Sequence, residues 1–165
     1  MELTLSLGTN LGNKLQNLKT AYLLIEEKIG KIISQSKIYC SEAWGYQSNN
    51  EFYNTVVVVE TVLLPYQILE IIANIEDELG RQRKHLNTFE DRIIDIDILF
   101  YNSLIINCKN LKIPHPKIQY RLFVLLPLCE ISPNFVHPEL QLPLCQLLDR
   151  CEDISKITQT AQKIW

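Results

Sequence analysis

The segment Arg92-Ile93-Ile94-Asp95-Ile96-Asp97-Ile98 alternates isoleucine with aspartate, which is typical of a β-strand. Successive side chains of a strand point to opposite faces, so Asp95 and Asp97 share one face and the isoleucines share the other. The isoleucine face can pack on helices. The two carboxylates then lie about two residues' rise apart, roughly 7 Å, on the open face. This strand therefore predicts which side of the sheet is buried and which side can carry chemistry.

The hydrophobic periodicity on either side of this strand predicts a mixed α and β domain. The preceding order is strand, helix, strand, strand, helix, at residues 3–7, 14–30, 32–40, 52–60 and 65–79. With the strand at 93–100, this is the βαββαβ order of the ferredoxin-like α+β fold, an antiparallel sheet with both helices on one face. Six prolines follow residue 113. We therefore expect a C-terminal extension of small helices and strands, with helices near 122–130 and 144–150.

Length and composition are those of one globular domain, residues 1–165. The chain is 47% hydrophobic and 21% charged with a net charge of −3, which argues against disorder and against a dedicated duplex-DNA binder. No segment approaches the ~20 apolar residues that span a bilayer, and the amino terminus lacks signal-peptide features. Five cysteines without a Cys-x-x-Cys pair favour reduced thiols. We expect a cytoplasmic monomer that binds neither nucleic acid nor membrane.

The two aspartates are candidate ligands of a divalent cation, because like charges this close repel each other. Mg²⁺ typically takes one or two carboxylates plus substrate phosphates, whereas the simpler interpretation is a solvated strand face. Basic residues in the preceding loop and further along the chain favour the first interpretation; these are Arg81, Arg83, Lys84, Arg92 and Arg121. Guanidinium groups bind phosphate oxygens bidentately, which suits phosphoryl transfer. The alternative is that these residues only balance nearby acids.

The chain has no glycine-rich phosphate loop and no recognisable nucleophile motif. These absences favour direct transfer between substrates held by side chains and metal. Phe52 and Asn54, at spacing two on one strand face, can stack on and hydrogen-bond a flat heterocycle. The alternative for this pair is ordinary core packing. His115, which follows a proline, indicates little by itself.

Seven short motifs occur in order along the chain. They are Leu7-Gly8-Thr9-Asn10-Leu11-Gly12, Trp44-Gly45, Phe52-Tyr53-Asn54, Gly80-Arg81-Gln82-Arg83, Arg92 to Ile98, Pro114-His115 and Arg121-Leu122-Phe123. With this set the chain closely resembles the 6-hydroxymethyl-7,8-dihydropterin pyrophosphokinases, from residue 3 to about residue 135. The resemblance implies a ferredoxin-like core. It also implies transfer of pyrophosphate from ATP to the pterin hydroxymethyl oxygen, which releases AMP, in folate biosynthesis.

The resemblance also implies roles for individual residues. Asp95 and Asp97 match the ligands of two Mg²⁺ ions and, with Arg81 and Arg92, the catalytic set. Positions that bind ATP, the co-substrate, are matched by Glu76, Arg81, Arg83, Lys84, Arg92, His115 and Arg121. Positions that bind the pterin are matched by Ser41, Glu42, Trp44, Phe52, Asn54, Asp95 and Phe123. The loop 81–92 matches a segment that closes over the nucleotide, which would exclude water.

Some positions depart from the family pattern. Glu90 and Asp91 replace a usual Gly-Pro, and two acids beside Arg92 are expected either to weaken its hold on phosphate or to change how the loop closes. Asn110 and Lys112 replace a frequent Arg and Thr, so the resemblance does not extend to the nucleotide contacts at these two positions. The catalytic carboxylates and the motif arginines are present, so we expect an active enzyme.

Two other functions are compatible with the pattern. A non-catalytic ferredoxin-like module could bind a ligand or RNA on its open sheet face, although two exposed carboxylates would repel phosphate without a metal. A Mg²⁺-dependent nucleotidyl transferase would cleave ATP at the α-phosphorus and release pyrophosphate instead of AMP.

Overall fold

The computed structural model of the chain describes residues 1–81 and 90–164. Its strands are β1 Glu2–Thr9, β2 Lys31–Gln35, β3 Tyr39–Ser41, β4 Phe52–Glu60, β5 Asp95–Tyr101, β6 Ile106–Asn107, β7 Lys112–Ile113 and β8 Ile157–Gln159. Its helices are α1 Lys14–Lys28, α2 Pro65–Glu78, a 3-10 turn Ile118–Tyr120, α3 Leu122–Ile131 and α4 Leu144–Asp149. None of these helices is both long and apolar enough to span a membrane.

The main sheet is antiparallel in every pairing and has the order β5-β1-β4-β3-β8, with β2 also pairing with β4. This arrangement confirms the predicted ferredoxin-like core. The central strand β1 sets the register of its two neighbours at one end of the sheet, because Gly8 pairs with Asn54 of β4 and with Asp95 of β5. The polar residues of two distant chain segments are thereby brought side by side.

Helices α1 and α2 cover one face of the sheet, as predicted. Ile94, Ile96 and Ile98 are buried there in one cluster with the leucines of β1 and the isoleucines of α2. Helices α3 and α4 of the C-terminal extension cover part of the opposite face, where Leu99, Phe100 and Val56 form a second cluster with them. The residues predicted to begin the two helices are also confirmed. The Asn13 side chain caps α1 by accepting the Gln16 N–H at 3.1 Å, and Pro65 begins α2.

The predicted strand at 32–40 is in fact two strands, β2 and β3. Ser36 lies between them and is buried, and its hydroxyl accepts the Val56 N–H at 3.0 Å while its own N–H donates to the Val56 carbonyl at 2.9 Å. A serine side chain thus replaces a backbone partner and interrupts the ladder, which alternation alone does not reveal. The separate strand β3 places Ser41 next to Phe52 at the site end of the sheet.

Candidate functional site

Asp95 and Asp97 project from β5 away from the isoleucine cluster, as the alternation predicts. Asp95 is clamped between two guanidinium groups, since its Oδ2 lies 2.6 Å from Arg92 Nη1 and its Oδ1 lies 2.7 Å from Arg81 Nη1. Burial and the charge of Asp97 nevertheless raise the pKa of Asp95 above its usual value. A pair of carboxylates in this state is stabilised by any further positive charge.

Glu76 lies behind this pair, on α2, and is almost completely buried. Its Oε1 accepts the N–H of Ile96, the residue between the two aspartates, at 2.8 Å, and it also pairs with Arg81. Because β5 is an edge strand, this carboxylate supplies a backbone acceptor that no neighbouring strand provides. Glu76 therefore fixes both the acidic strand and one of its arginines.

Asp97 is the more open carboxylate, with its side chain 36% exposed. Arg121 Nη1 lies 3.5 Å and His115 Nε2 lies 3.9 Å from its Oδ2. Burial and the Arg121 charge lower the pKa of His115 to about 4, so the imidazole is neutral at pH 7. The Nδ1 of His115 accepts the Lys117 N–H at 3.2 Å, which leaves the ring proton on Nε2, directed at Asp97.

An aromatic depression lies at this end of the sheet and has a volume of about 520 Å³, open solvent included. Its lining consists of Ser6, Gly8, Ser41, Glu42, Trp44, Tyr46, Phe52, Asn54, Arg92, Asp95, Asp97, Arg121 and Phe123. The Arg92 guanidinium lies 5.8 Å from the Phe52 ring centre, and that of Arg121 lies 5.7 Å from the ring centre of Phe123. Every residue that the sequence predicted for pterin binding is thus present in one depression. We call it the aromatic pocket.

The polar floor of the aromatic pocket comes from β1, β3 and β4. Asn54 and Ser41 are both buried, and Asn54 Nδ2 donates to Ser41 Oγ at 2.9 Å. A Cβ at Gly8 would lie only 3.2 Å from Asn54 Oδ1 and 3.7 Å from the Phe52 ring. Ser6 and Tyr46 also line the pocket, and sequence reasoning assigned neither these two nor Gly8 to the site. Their contribution depends on strand register and on a loop path, for which the sequence carries no direct signal.

A second depression also has Asp97 in its lining and has a volume of about 650 Å³, open solvent included. Its lining consists of Leu69, Ile96, Asp97, Ile98, Lys109, Asn110, Leu111, Lys112, His115 and Pro116. Among the described residues, Asp97 is the one that lines both depressions. The second depression, which we call the basic pocket, combines apolar side chains with the ammonium groups of Lys109 and Lys112. Two ligands could thus be held on opposite sides of one carboxylate.

Two predicted ATP-binding residues, Arg83 and Lys84, lie outside the described residues, as does most of the 81–92 loop. Within 1–81 and 90–164, no group of three or more His, Cys, Asp or Glu side chains is placed to hold a metal ion. Two carboxylates are nevertheless sufficient protein ligands for Mg²⁺ when phosphate oxygens and water complete its coordination. The hard oxygen donors of Asp95 and Asp97 fit that requirement.

Comparisons with known proteins identify relatives that match most of the chain. The family described as 7,8-dihydro-6-hydroxymethylpterin-pyrophosphokinase (HPPK) matches residues 4–133. A 2-amino-4-hydroxy-6-hydroxymethyldihydropteridine pyrophosphokinase of Porphyromonas gingivalis is 38% identical over 141 residues, which cover 84% of this chain and 95% of that protein. The protein of the same name from Aquifex aeolicus is 39% identical over 140 residues, covering 85% and 86%.

Longer proteins match over only part of their length. The folic acid synthesis protein FOL1 of Dictyostelium discoideum is 43% identical over 140 residues, so that 84% of this chain matches 20% of that protein. Among solved structures, wild-type HPPK-DHPS of Plasmodium falciparum superposes with a TM-score of 0.74 at 22% identity. That superposition covers 90% of this chain and 44% of the other, and it supports the fold.

Proposed function

The chain belongs to the 7,8-dihydro-6-hydroxymethylpterin-pyrophosphokinase family, and we propose that it carries out the family reaction itself. In that reaction the hydroxymethyl oxygen of 6-hydroxymethyl-7,8-dihydropterin attacks the β-phosphorus of ATP. A new O–P bond forms, the bond between the β-phosphorus and the α–β bridging oxygen breaks, and AMP leaves. The products are AMP and the pterin diphosphate, an intermediate of folate biosynthesis.

One observation carries this proposal: Asp97 lines both the aromatic pocket and the basic pocket. The aromatic pocket suits a flat heterocycle, and the basic pocket suits a nucleotide whose phosphates approach the carboxylate from the other side. A transfer reaction needs its two reactants aligned across the group that handles the charge. Asp97, which lines both pockets, would occupy that position.

On the pterin side, Phe52 and Phe123 would enclose the ring between them, and aromatic stacking favours such an arrangement. Asn54 Nδ2 already donates to Ser41 Oγ, so Asn54 Oδ1 is oriented to accept an N–H of the ring edge. The segment with Glu42 and Trp44 closes the same pocket. These contacts would cover both faces of a pterin ring and hydrogen-bond one of its edges.

On the ATP side, Arg81, Arg92, Arg121 and His115 would neutralise the triphosphate, together with Arg83 and Lys84. Arg121 is suited to this role because its Nε is buried and has no hydrogen-bond partner among the described residues. His115 is neutral and can donate its Nε2 proton to a phosphate oxygen without adding charge. Glu76 would act indirectly, since its carboxylate already binds β5 and Arg81.

Asp95 and Asp97 would hold Mg²⁺, in our proposal two ions. When bound, the metal would offset negative charge on the phosphate oxygens. The chain's own contribution is to place Arg92, beside Phe52, and Arg121, beside Phe123, in the lining of the aromatic pocket. Fixed positive groups that face the place where charge develops lower the barrier because they need no reorganisation during the reaction.

Product analysis tests the function. Purified protein with ATP, Mg²⁺ and the hydroxymethyl dihydropterin should release AMP in an amount equal to the pterin diphosphate formed. Omission of the pterin should abolish AMP release. Release of pyrophosphate would instead indicate nucleotidyl transfer, and absence of both products would contradict the proposal. We also propose that the chain acts as a cytoplasmic monomer, which light scattering and cell fractionation would check.

A further inference from the structure

The Asp91 carboxylate is the centre of a hydrogen-bonded cluster that joins three separate loops. Its Oδ1 accepts from Asn10 Nδ2 at 2.7 Å and from the Tyr46 hydroxyl at 2.9 Å. Its Oδ2 accepts from Asn50 Nδ2 at 2.7 Å. We call this set of four residues the Asp91 clasp. Its members come from the turn after β1, the loop between β3 and β4, and the segment before β5.

Asn10 connects the clasp to the backbone of the adjacent Arg92. The Asn10 side chain is buried, and its Oδ1 accepts the Arg92 N–H at 2.7 Å. The Asn10 N–H in turn donates to the Arg92 carbonyl at 3.1 Å. The main chain of Arg92 is therefore held on both sides by one asparagine, and Asp91 holds the amide of that asparagine.

The other half of the clasp belongs to the loop that walls the aromatic pocket. Tyr46 itself lines the pocket, together with Glu42 and Trp44 of the same loop. On the opposite side of the clasp, the Arg92 guanidinium lies over Phe52 and pairs with Asp95. Asp91 thus connects the pocket loop to the arginine that closes the same pocket.

The protonation states support this connection. Burial would raise the pKa of Asp91, but hydrogen bonds from Ser48, Asn50, Asn10 and Tyr46 lower it to about 2. Burial and the nearby Asp91 carboxylate raise the pKa of Tyr46 to about 12. At neutral pH the carboxylate is therefore ionised and the phenol remains a donor, which are the states that the clasp requires.

We propose that Asp91 is a positioning residue, which sets pterin affinity by holding the 42–51 loop against Arg92. The proposal rests on the proposed function in taking the aromatic pocket as the pterin site. Asp91 is one of the two acids, Glu90 and Asp91, that replace the usual Gly-Pro of the family pattern. The proposal gives this departure a role. The competing expectation is that these acids act by charge alone and weaken the hold of Arg92 on phosphate.

Asp91→Ala should raise the Kd for the pterin about ten-fold and the Kd for a non-hydrolysable ATP analogue by a smaller factor. This difference arises because the clasp contacts the pterin loop, whereas the basic pocket is built from other segments. Glu90→Gln is the matched control. It removes the same charge from the neighbouring position and keeps the hydrogen bond that the Glu90 backbone carbonyl accepts from Arg92 Nε at 3.1 Å. Its pterin affinity should stay within two-fold of wild type.

A double-mutant cycle with Tyr46→Phe distinguishes a connected clasp from two independent residues. Tyr46→Phe keeps the ring in the pocket wall and removes the hydroxyl that donates to Asp91. If Asp91 acts through Tyr46, the double variant should lose no more pterin affinity than Asp91→Ala alone. Multiplied losses would show that the two residues act separately and would overturn the connection.

Calorimetry with each substrate and thermal unfolding of each variant complete the test. Unchanged pterin affinity in a folded Asp91→Ala protein, or an equal loss in Glu90→Gln, would overturn the proposal. If Asp91→Ala does not fold, Asp91→Asn and Tyr46→Phe decide in its place, because each keeps the shape of the side chain. A wild-type protein that binds the pterin but releases no AMP would contradict the proposed function. The effect of the clasp on pterin affinity could still be measured in that case.

Discussion

The two carboxylates of β5 differ in what already surrounds them. Asp95 is held between Arg81 and Arg92 at hydrogen-bond distance, whereas the nearest cation to Asp97 among residues 1–81 and 90–164 is Arg121, at 3.5 Å. A carboxylate with a long ion pair and an exposed oxygen needs the least rearrangement to bind a new ligand. Asp97 is also the residue at which the two pockets meet. A substitution there tests the chemistry most directly.

Asp97→Ala should lower kcat by about 10³-fold, equivalent to about 4 kcal/mol of transition-state stabilisation. The reason is the loss of one of two carboxylates available for the metal. Because the side chain faces the pockets and not the isoleucine cluster, the thermal unfolding midpoint should stay near that of wild type. Asp149→Ala, which removes an exposed acid at the end of α4, serves as control. Full turnover by Asp97→Ala would contradict the metal role.

Phe123→Ala should weaken pterin binding about ten-fold or more and leave binding of an ATP analogue nearly unchanged. The ring lies beside Trp44 and under the Arg121 guanidinium in the aromatic pocket, and it does not line the basic pocket. Loss of a stacking ring removes both buried area and a directional contact. Calorimetry with each ligand measures the difference. Equal losses for both ligands would argue against the aromatic enclosure of the pterin.

At the scale of elements, the register of three strands builds the floor of the aromatic pocket. Gly8 of β1 lies between Asn54 of β4 and Asp95 of β5, so residues more than forty positions apart meet across two ladders. The absence of a side chain at Gly8 leaves the space above this junction open. Small residues at such a point are required by the ligand cavity and not by backbone conformation.

Gly8→Ala should raise the KM for the pterin about five- to ten-fold and change the KM for ATP little. The added methyl would lie 3.2 Å from Asn54 Oδ1, close enough to displace the amide or fill its ligand position. Steady-state kinetics with each substrate varied in turn gives both constants. Gly12→Ala, where no atom lies within 4 Å of the new Cβ but the φ is +64°, separates a stability effect from a pocket effect. A larger effect on ATP than on the pterin would contradict this account of the pocket floor.

The connection between α3 and α4 predicts a pH dependence of stability. His137 in this connection is buried against Phe100, its Nδ1 accepts the N–H groups of Glu139 and Leu140, and its Nε2 has no partner among the described residues. Burial lowers the pKa of His137 below its ordinary value of about 6.5. The unfolded chain then binds more protons as the pH falls through 6.5, so the folded state loses stability on acidification.

The thermal unfolding midpoint should therefore fall by a few degrees, about 2–4 °C for each kcal/mol, between pH 7.5 and pH 5.5. His137→Asn keeps an acceptor for the two backbone N–H groups but does not titrate. Its midpoint should decrease less over this interval. The pH dependence should not vanish, because the pKa of His115 is lowered as well. An identical decrease in wild type and variant would exclude His137 as a source.

At the scale of the whole molecule, the sheet separates the main hydrophobic core from the candidate site. One face is covered by α1 and α2, and the other is only partly covered by α3 and α4, which leaves the ends of β1, β4 and β5 open to the aromatic pocket. The net charge of the chain is −3, yet the arginines concentrate around the two aspartates. Affinity for an anionic nucleotide therefore depends on this local charge balance.

Removal of Mg²⁺ should reduce binding of a non-hydrolysable ATP analogue by at least about ten-fold. Without the metal, the carboxylates of Asp95 and Asp97 repel the triphosphate and engage the arginines that would otherwise pair with its phosphates. Calorimetry in the presence of Mg²⁺ and after chelation measures the change, with pterin binding, which should change less, as the control. Tight metal-independent binding of the analogue would contradict the role of the carboxylates and favour a non-catalytic module.

The order of helices and strands was determined by the sequence alone. Alternating isoleucines, helical stripes and single cap residues such as Asn13 and Pro65 act over a few neighbours, so they are readable without coordinates. The two outward aspartates follow from the same alternation. The family motifs added the pterin and ATP residues, although their roles remain proposals.

Only the tertiary structure decided which of these residues meet. The break at Ser36, the burial of Glu76 beneath β5, the two pockets at Asp97 and the Asp91 clasp all depend on contacts between segments far apart in the chain. Local patterns cannot encode such contacts, because strand register and loop paths are set by how the whole core packs. The pattern of residues 92–98 therefore determined the direction of the acids, and the assembled sheet determined what surrounds them.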